Sequence, residues 1–196
     1  MKSNICVLQR GGLGLENVLT EVEKVASYNG MQKKEALRLR LLAEELVGML
    51  SELVENFDGF FWLQNQENRY ELHAELSVER LSKEKKEMLI EISAKKKNAA
   101  ASGFMGKLRD IAENMLLFSE ETGVAYTTDT AYQYDYDVYY SYAWTLNHYM
   151  SRQQESLNED SEEWDRLEKS IVAKLADDVI VGVRGKKVEI IIKKEF

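Results

Sequence analysis

Between Glu35 and Asn56, Leu39, Leu42, Leu46, Met49 and Leu53 recur at alternating steps of three and four residues. That is the stripe of a helix that turns one side to a core. Leu15 to Tyr28 repeats the device with Val18, Val22 and Val25, and Asn29-Gly30 is its stop signal. The second helix is expected over about Lys33 to Asn56, ending at Asp58-Gly59. Phe60 to Leu63 is then an aromatic-rich run, and Gln64 to Asn68 reads as a polar turn. Beyond it Tyr70, Leu72, Ala74, Leu76 and Val78 alternate with Arg69, Glu71, His73, Glu75 and Ser77. Period two means a strand with one buried and one wet face, and the two runs pair as a hairpin.

Ile5 to Leu8 reads as a short strand or arm that Gly11-Gly12 ends. Ser82 suits the cap of a short helix carrying Met88, Leu89 and Ile92, and Lys95 to Gly103 reads as a flexible connection. Ser102 then caps a helix whose stripe is Phe104, Leu108, Ile111, Met115 and Phe118. Thr122 to Thr130 reads as loop, and Tyr134 to about Leu157 as helix. Asn158 to Ser161 breaks the pattern and caps a last helix with Trp164, Leu167, Ile171 and Leu175 on one face. Val179, Val181 and Val183 lead through Arg184-Gly185-Lys186 to Val188, Ile190 and Ile192, a second hairpin. The expected architecture is a single α+β domain over 1–196, a two-layer sandwich with helices on one face of a mostly antiparallel sheet.

Composition narrows the class. Apolar residues are 44% and charged residues 31% of 196, ordinary for a globular protein. The net charge of −8 opposes nucleic-acid binding, which needs a cationic footprint. Lys83 to Lys86, Lys95 to Lys97, and Lys186, Lys187, Lys193 and Lys194 are local clusters that read as solvated faces. No apolar run has the length of a membrane span, so no membrane partner is expected. Cys6 is the one cysteine, which points to a reducing cytoplasm.

With the acid-bearing helix, its hairpin and the terminal hairpin laid out, the chain resembles the gyrase, chaperone, histidine-kinase and mismatch-repair ATPase superfamily. The anti-sigma-factor serine kinases are the most similar in layout. Met31 to Leu46 is similar to the run leading into their catalytic helix, and Val179 to Lys193 looks like their last strand pair. The likeness covers roughly two-thirds of the chain, with Gly123 to Ser161 reading as a tyrosine-rich helical insertion. It implies an ATP-binding regulatory protein with Mg²⁺, a regulatory protein partner, and a homodimer by analogy.

In that family a helix Glu activates the attacking hydroxyl and a helix Asn helps to hold Mg²⁺, the oxygen chemistry that phosphoryl transfer needs. Two registers fit. Glu44 or Glu45 suits the distance to the hairpin, with Glu45 as the base, but then Gly48 or Met49 stands where the Asn belongs. Glu52 with Asn56 keeps the pair and sits close to the strand; length favours the first. The family's Asp-x-Gly-x-Gly, which holds the adenine amine, is replaced by Ser77-Val-Glu79-Arg-Leu-Ser82, with Glu79 and no glycine. Gly103-Phe-Met-Gly106 is similar to the later glycine box that approaches phosphate. The implied nucleotide contacts are therefore Glu44, Glu52, Asn56, Glu79, Gly103 and Gly106, in a degenerate site.

A plainer reading stands beside each. Glu44, Glu45 and Glu52 also suit exposed helix carboxylates paired with Lys34, Arg38 or Arg40, Asn56 a helix end, and the two glycines a helix start after a loop. Eight tyrosines from Tyr126 to Tyr149, with Trp144, suit packing on the domain, a protein interface or a small-ligand pocket. His73 and His148 have no zinc spacing and no catalytic-triad partners.

Overall fold

The computed structural model describes residues 1–9, 14–53, 57–78, 104–122, 125–127, 140–155 and 170–196. Strand β1 (Cys6–Gln9) leads into α1 (Leu15–Tyr28) and α2 (Lys33–Leu53). The long hairpin β2 (Phe57–Gln66) and β3 (Arg69–Val78) follows, then α3 (Phe104–Thr122) and the short strands β4 (Ala125–Thr127), β5 (Tyr140–Tyr142) and β6 (Trp144–Thr145). Helices α4 (Leu146–Glu155) and α5 (Ile171–Leu175) precede the terminal hairpin of β7 (Asp178–Arg184) and β8 (Lys187–Glu195).

One sheet holds all the described strands, in the order β1-β2-β3-β8-β7-β4-β5 with β6 also on β7. Every pairing is antiparallel except β4 with β5. The two hairpins, far apart in sequence, meet where β3 runs beside β8, Ala74 opposite Ile190 and Leu72 opposite Ile192. The fold is α+β, as the patterning implied.

The helices lie on one face of this sheet. Leu39, Leu42, Leu46 and Leu50 of α2, Val18 and Val22 of α1, and Leu108 and Ala112 of α3 are fully buried. They form one cluster with Phe61, Leu63, Leu72, Leu76, Val181, Ile190 and Ile192 from the inward side of the strands. Each buried aliphatic side chain contributes on the order of 1.5–3 kcal/mol, so this shared core orients α2 on the sheet.

Local chemistry sets the boundaries. Asn29 caps α1 through its side-chain amide, which donates to the Val25 carbonyl at 2.7 Å, and Gly30 takes the left-handed φ of 64° that turns the chain. Glu35 reaches back to accept from the Gln32 backbone N–H at 3.1 Å, half of a capping box. Gly14, with φ of 105°, lies so close to β1 that a β-carbon there would stand 2.3 Å from the Val7 carbonyl oxygen. Only glycine fits that approach.

Several expectations are corrected. Asp58 and Gly59 are not the end of α2; they are strand residues, because β1 and β3 pair with them on both sides. Likewise β2 runs on through Gln66, and the turn is confined to Glu67 and Asn68. Thr122 to Thr130 is not all loop, since Ala125–Thr127 joins β7 and β5. Of the helix expected from Tyr134 to about Leu157, Tyr140–Tyr142 and Trp144–Thr145 are strand and Leu146–Glu155 is helix, while 134–139 lie outside the described residues. Aromatic and β-branched side chains fit a pleated, half-buried surface better than a helix, and β4 and β7 supply the neighbours. On α3 the buried side runs through Leu108, Ala112, Met115, Leu116 and Ser119, so Phe118 faces outward at 46% exposure. On α5, capped by Ser170, Val172 is buried and Ile171 is 44% exposed. The expected helix at 88–92, the connection at 95–103, and Trp164 and Leu167 lie outside the described residues.

Candidate functional site

The acid-bearing helix α2 crosses the sheet between α1 and α3. Its buried stripe, Leu39, Leu42, Ala43, Leu46, Val47 and Leu50, leaves Glu44 and Glu45 on the flanks, both half-buried. Successive residues of an α-helix are turned by about 100°, so these neighbouring carboxylates diverge. Glu44 is engaged: its Oε1 lies 3.5 Å from Arg40 Nε one turn back, and the other arm of Arg40 pairs with Glu23 of α1. That three-charge chain ties α2 to α1 at the surface and is worth a few tenths of a kcal/mol per pair, as exposed pairs are. Glu45 makes no hydrogen bond or ion pair among the described residues.

From Glu45 the helix continues for eight residues to Leu53 before β2 begins at Phe57. At 1.5 Å per residue that is about 12 Å. The residue one turn beyond Glu45 is Met49, which has no oxygen to offer a magnesium ion. Glu52 belongs to the final turn of α2. Asn56, Glu79 and Gly103 lie outside the described residues, and Gly106 sits in the first turn of α3. Helices α2 and α3 pack side by side, so the fold brings the acidic helix and the helix carrying Gly106 together. Among the described residues no group of three or more His, Cys, Asp or Glu side chains is arranged to hold a metal ion.

On the far face of the sheet is a cluster that the patterning missed. His73 was expected on a wet face, yet it is only 7% exposed. Its direct neighbours across the ladders are Trp62 and Ile191. The Trp62 and His73 rings stack at 4.9 Å between centroids with an 8° tilt, and Lys2 Nζ lies 4.6 Å from the Trp62 ring. His73 Nε2 is 3.3 Å from Glu71 Oε2, and Nδ1 is 3.7 Å from Glu189 Oε1. Locating the turn at Glu67-Asn68 puts Trp62 opposite His73, so the signal was present in the hairpin register. Lys193 and Lys187 neutralise Glu71 and Glu75 from the neighbouring strand.

Cys6 is buried on β1, and that burial, with the Glu21 carboxylate nearby, pushes its thiol up from the ordinary range against an opposing pull from Lys24. It is a core side chain, poorly suited to nucleophilic work. Tyr70 is likewise pushed up by burial and by the Glu35 carboxylate, while its hydrogen bond with Asn65 acts the other way. Of the tyrosine-rich segment, Tyr149 and Trp144 are partly buried against the core, their rings 5.9 Å apart. No described helix is long and apolar enough to cross a membrane. No family model matches the chain, and no curated protein matches it.

Proposed function

We propose that this chain is an ATP-binding regulatory protein resembling the anti-sigma-factor kinases, with an altered nucleotide site and a protein partner. One observation carries the reading: an acid-bearing helix lies across a sheet made of two sequence-distant hairpins, one following that helix directly. Glu45, uncommitted among the described residues and half-exposed, is the group available to a nucleotide or its attacking hydroxyl. Magnesium bound with ATP would supply charge neutralisation at the phosphates. The described oxygen ligands beside Glu45 are too few to hold the metal without the nucleotide.

Calorimetric titration with Mg·ATP and Mg·ADP is the test. Saturable heat that disappears in Glu45→Ala, with the fold intact by circular dichroism, is expected. Silence up to millimolar nucleotide overturns the reading.

A second reading keeps the fold and drops the nucleotide, leaving a non-catalytic protein-interaction module. The pairing of Glu44 with Arg40, which also pairs with Glu23, favours it, because a carboxylate held in a surface charge chain is already committed to the fold. The position of Met49 favours it too.

A further inference from the structure

Gly48 stands inside α2, five residues before its end. Glycine is among the costliest ordinary residues in a helix interior, since it is the most flexible in the unfolded chain. Its usual justification is a close neighbour. Among the described residues there is none: a β-carbon built at Gly48 would have nothing within 4 Å. No described residue packs into that space.

The rest of that helix face indicates what enters it. Opposite the buried stripe, α2 presents Leu37, 55% exposed, then half-buried Leu41 one turn on, then exposed Gly48. Leu37 and Gly48 are three turns apart, about 16 Å along the axis. Charge is segregated along the same strip. Lys33, Lys34 and Arg38 lie towards its N-terminal end, and Glu44 and Glu45 towards its C-terminal end. Lys33, Lys34, Arg38 and Glu45 form no ion pair among the described residues. Such a helix is self-complementary when a second copy lies antiparallel to it. The two-fold axis then passes between Leu41 and Glu44, so the two Leu41 side chains flank it. Each Leu37 enters the space above the partner's Gly48, and Arg38 on each copy approaches Glu45 on the other. Antiparallel packing also opposes the two helix dipoles favourably.

We propose that two copies of this chain associate through the solvent face of α2, antiparallel, with Leu37 seated over Gly48. The contact is one helix against its own copy, smaller than a permanent interface, so the dimer Kd is on the order of 10–100 µM. Its charge pairs lie at the rim, and raising the salt concentration weakens it.

Sedimentation velocity on the full chain over a concentration series tests this. The wild type should shift from monomer to dimer with concentration. Gly48→Leu fills the space while improving helix propensity, so it should melt no lower than wild type yet dimerise about tenfold or more weakly. Arg38→Glu should weaken association, and Arg38→Glu combined with Glu45→Arg should restore it to within about threefold. A wild type that stays monomeric at about 500 µM overturns the proposal. So does a Gly48→Leu variant that dimerises as well as wild type, since the interface must then lie elsewhere. The nucleotide reading draws on the same Glu45 but is tested apart, because Arg38→Glu keeps both Glu45 and Gly48 and its heat with Mg·ATP can be measured on the monomer.

Discussion

Replacing Gly14 with alanine puts a methyl group where the Val7 carbonyl already is. Two costs add. The backbone has φ of 105°, where an L side chain is strained by roughly 1–2 kcal/mol. The new β-carbon would also meet the Val7 oxygen at 2.3 Å, far inside contact distance, and the backbone oxygen cannot swing aside as a side chain would. Forcing α1 away from β1 is an overpacking cost of about 1–3 kcal/mol. Lower entropy in the unfolded chain returns about 0.4–1 kcal/mol. The net loss is about 2–4 kcal/mol, a large share of the 5–15 kcal/mol typical of a domain. Gly30→Ala is the control: its φ is 64° and nothing lies within 4 Å, so it carries the conformational cost without the collision. Urea unfolding followed by circular dichroism should show the Gly14→Ala midpoint falling about 1–2 M, and the Gly30→Ala midpoint falling much less. Equal shifts would refute the argument that α1 docks against β1 through this contact.

Two further outcomes are expected. His73→Phe keeps the ring stacked on Trp62 and removes a buried polar edge, so it should change stability by under about 1 kcal/mol, whereas His73→Ala loses the stack and about 1–2 kcal/mol; equal losses in urea would mean that the carboxylates at Glu71 and Glu189 are what hold His73. At the alkaline end, Cys6 and Tyr70 both ionise later in the folded protein than in the unfolded chain. Their contribution is complete below the unfolded values and is lost as pH rises from those values through the folded ones. Thermal melts should therefore fall above the ordinary thiol and phenol range, and Cys6→Ala with Tyr70→Phe should flatten that fall.

The one-dimensional pattern was sufficient for α1, for most of α2, for the existence of the two hairpins and for the inward sides of β3, β7 and β8. In these segments the apolar period is long and uninterrupted, and a slip of one residue would expose a whole face. Val179, Val181, Val183, Val188, Ile190 and Ile192 are all buried as their alternation required. Asn29-Gly30 marked a true helix stop because the local geometry there depends on residue type alone. What depends on neighbours from elsewhere in the chain was not legible. Asp58 and Gly59 read as a breaker, yet β1 and β3 draw them into the ladder. Tyr140 to Thr145 became strand because β4 and β7 stand beside them. The candidate site divides in the same way. The carboxylates of α2 could be counted in the sequence, but only packing decided that Glu44 is tied through Arg40 to α1 and that Glu45 is not. Likewise a glycine at 48 is plain in the sequence, and that no described residue fills the space beside it is a property of the assembled fold. Periodicity is carried by adjacent residues, whereas burial, pairing and charge partnership are set by which surfaces the core brings into contact.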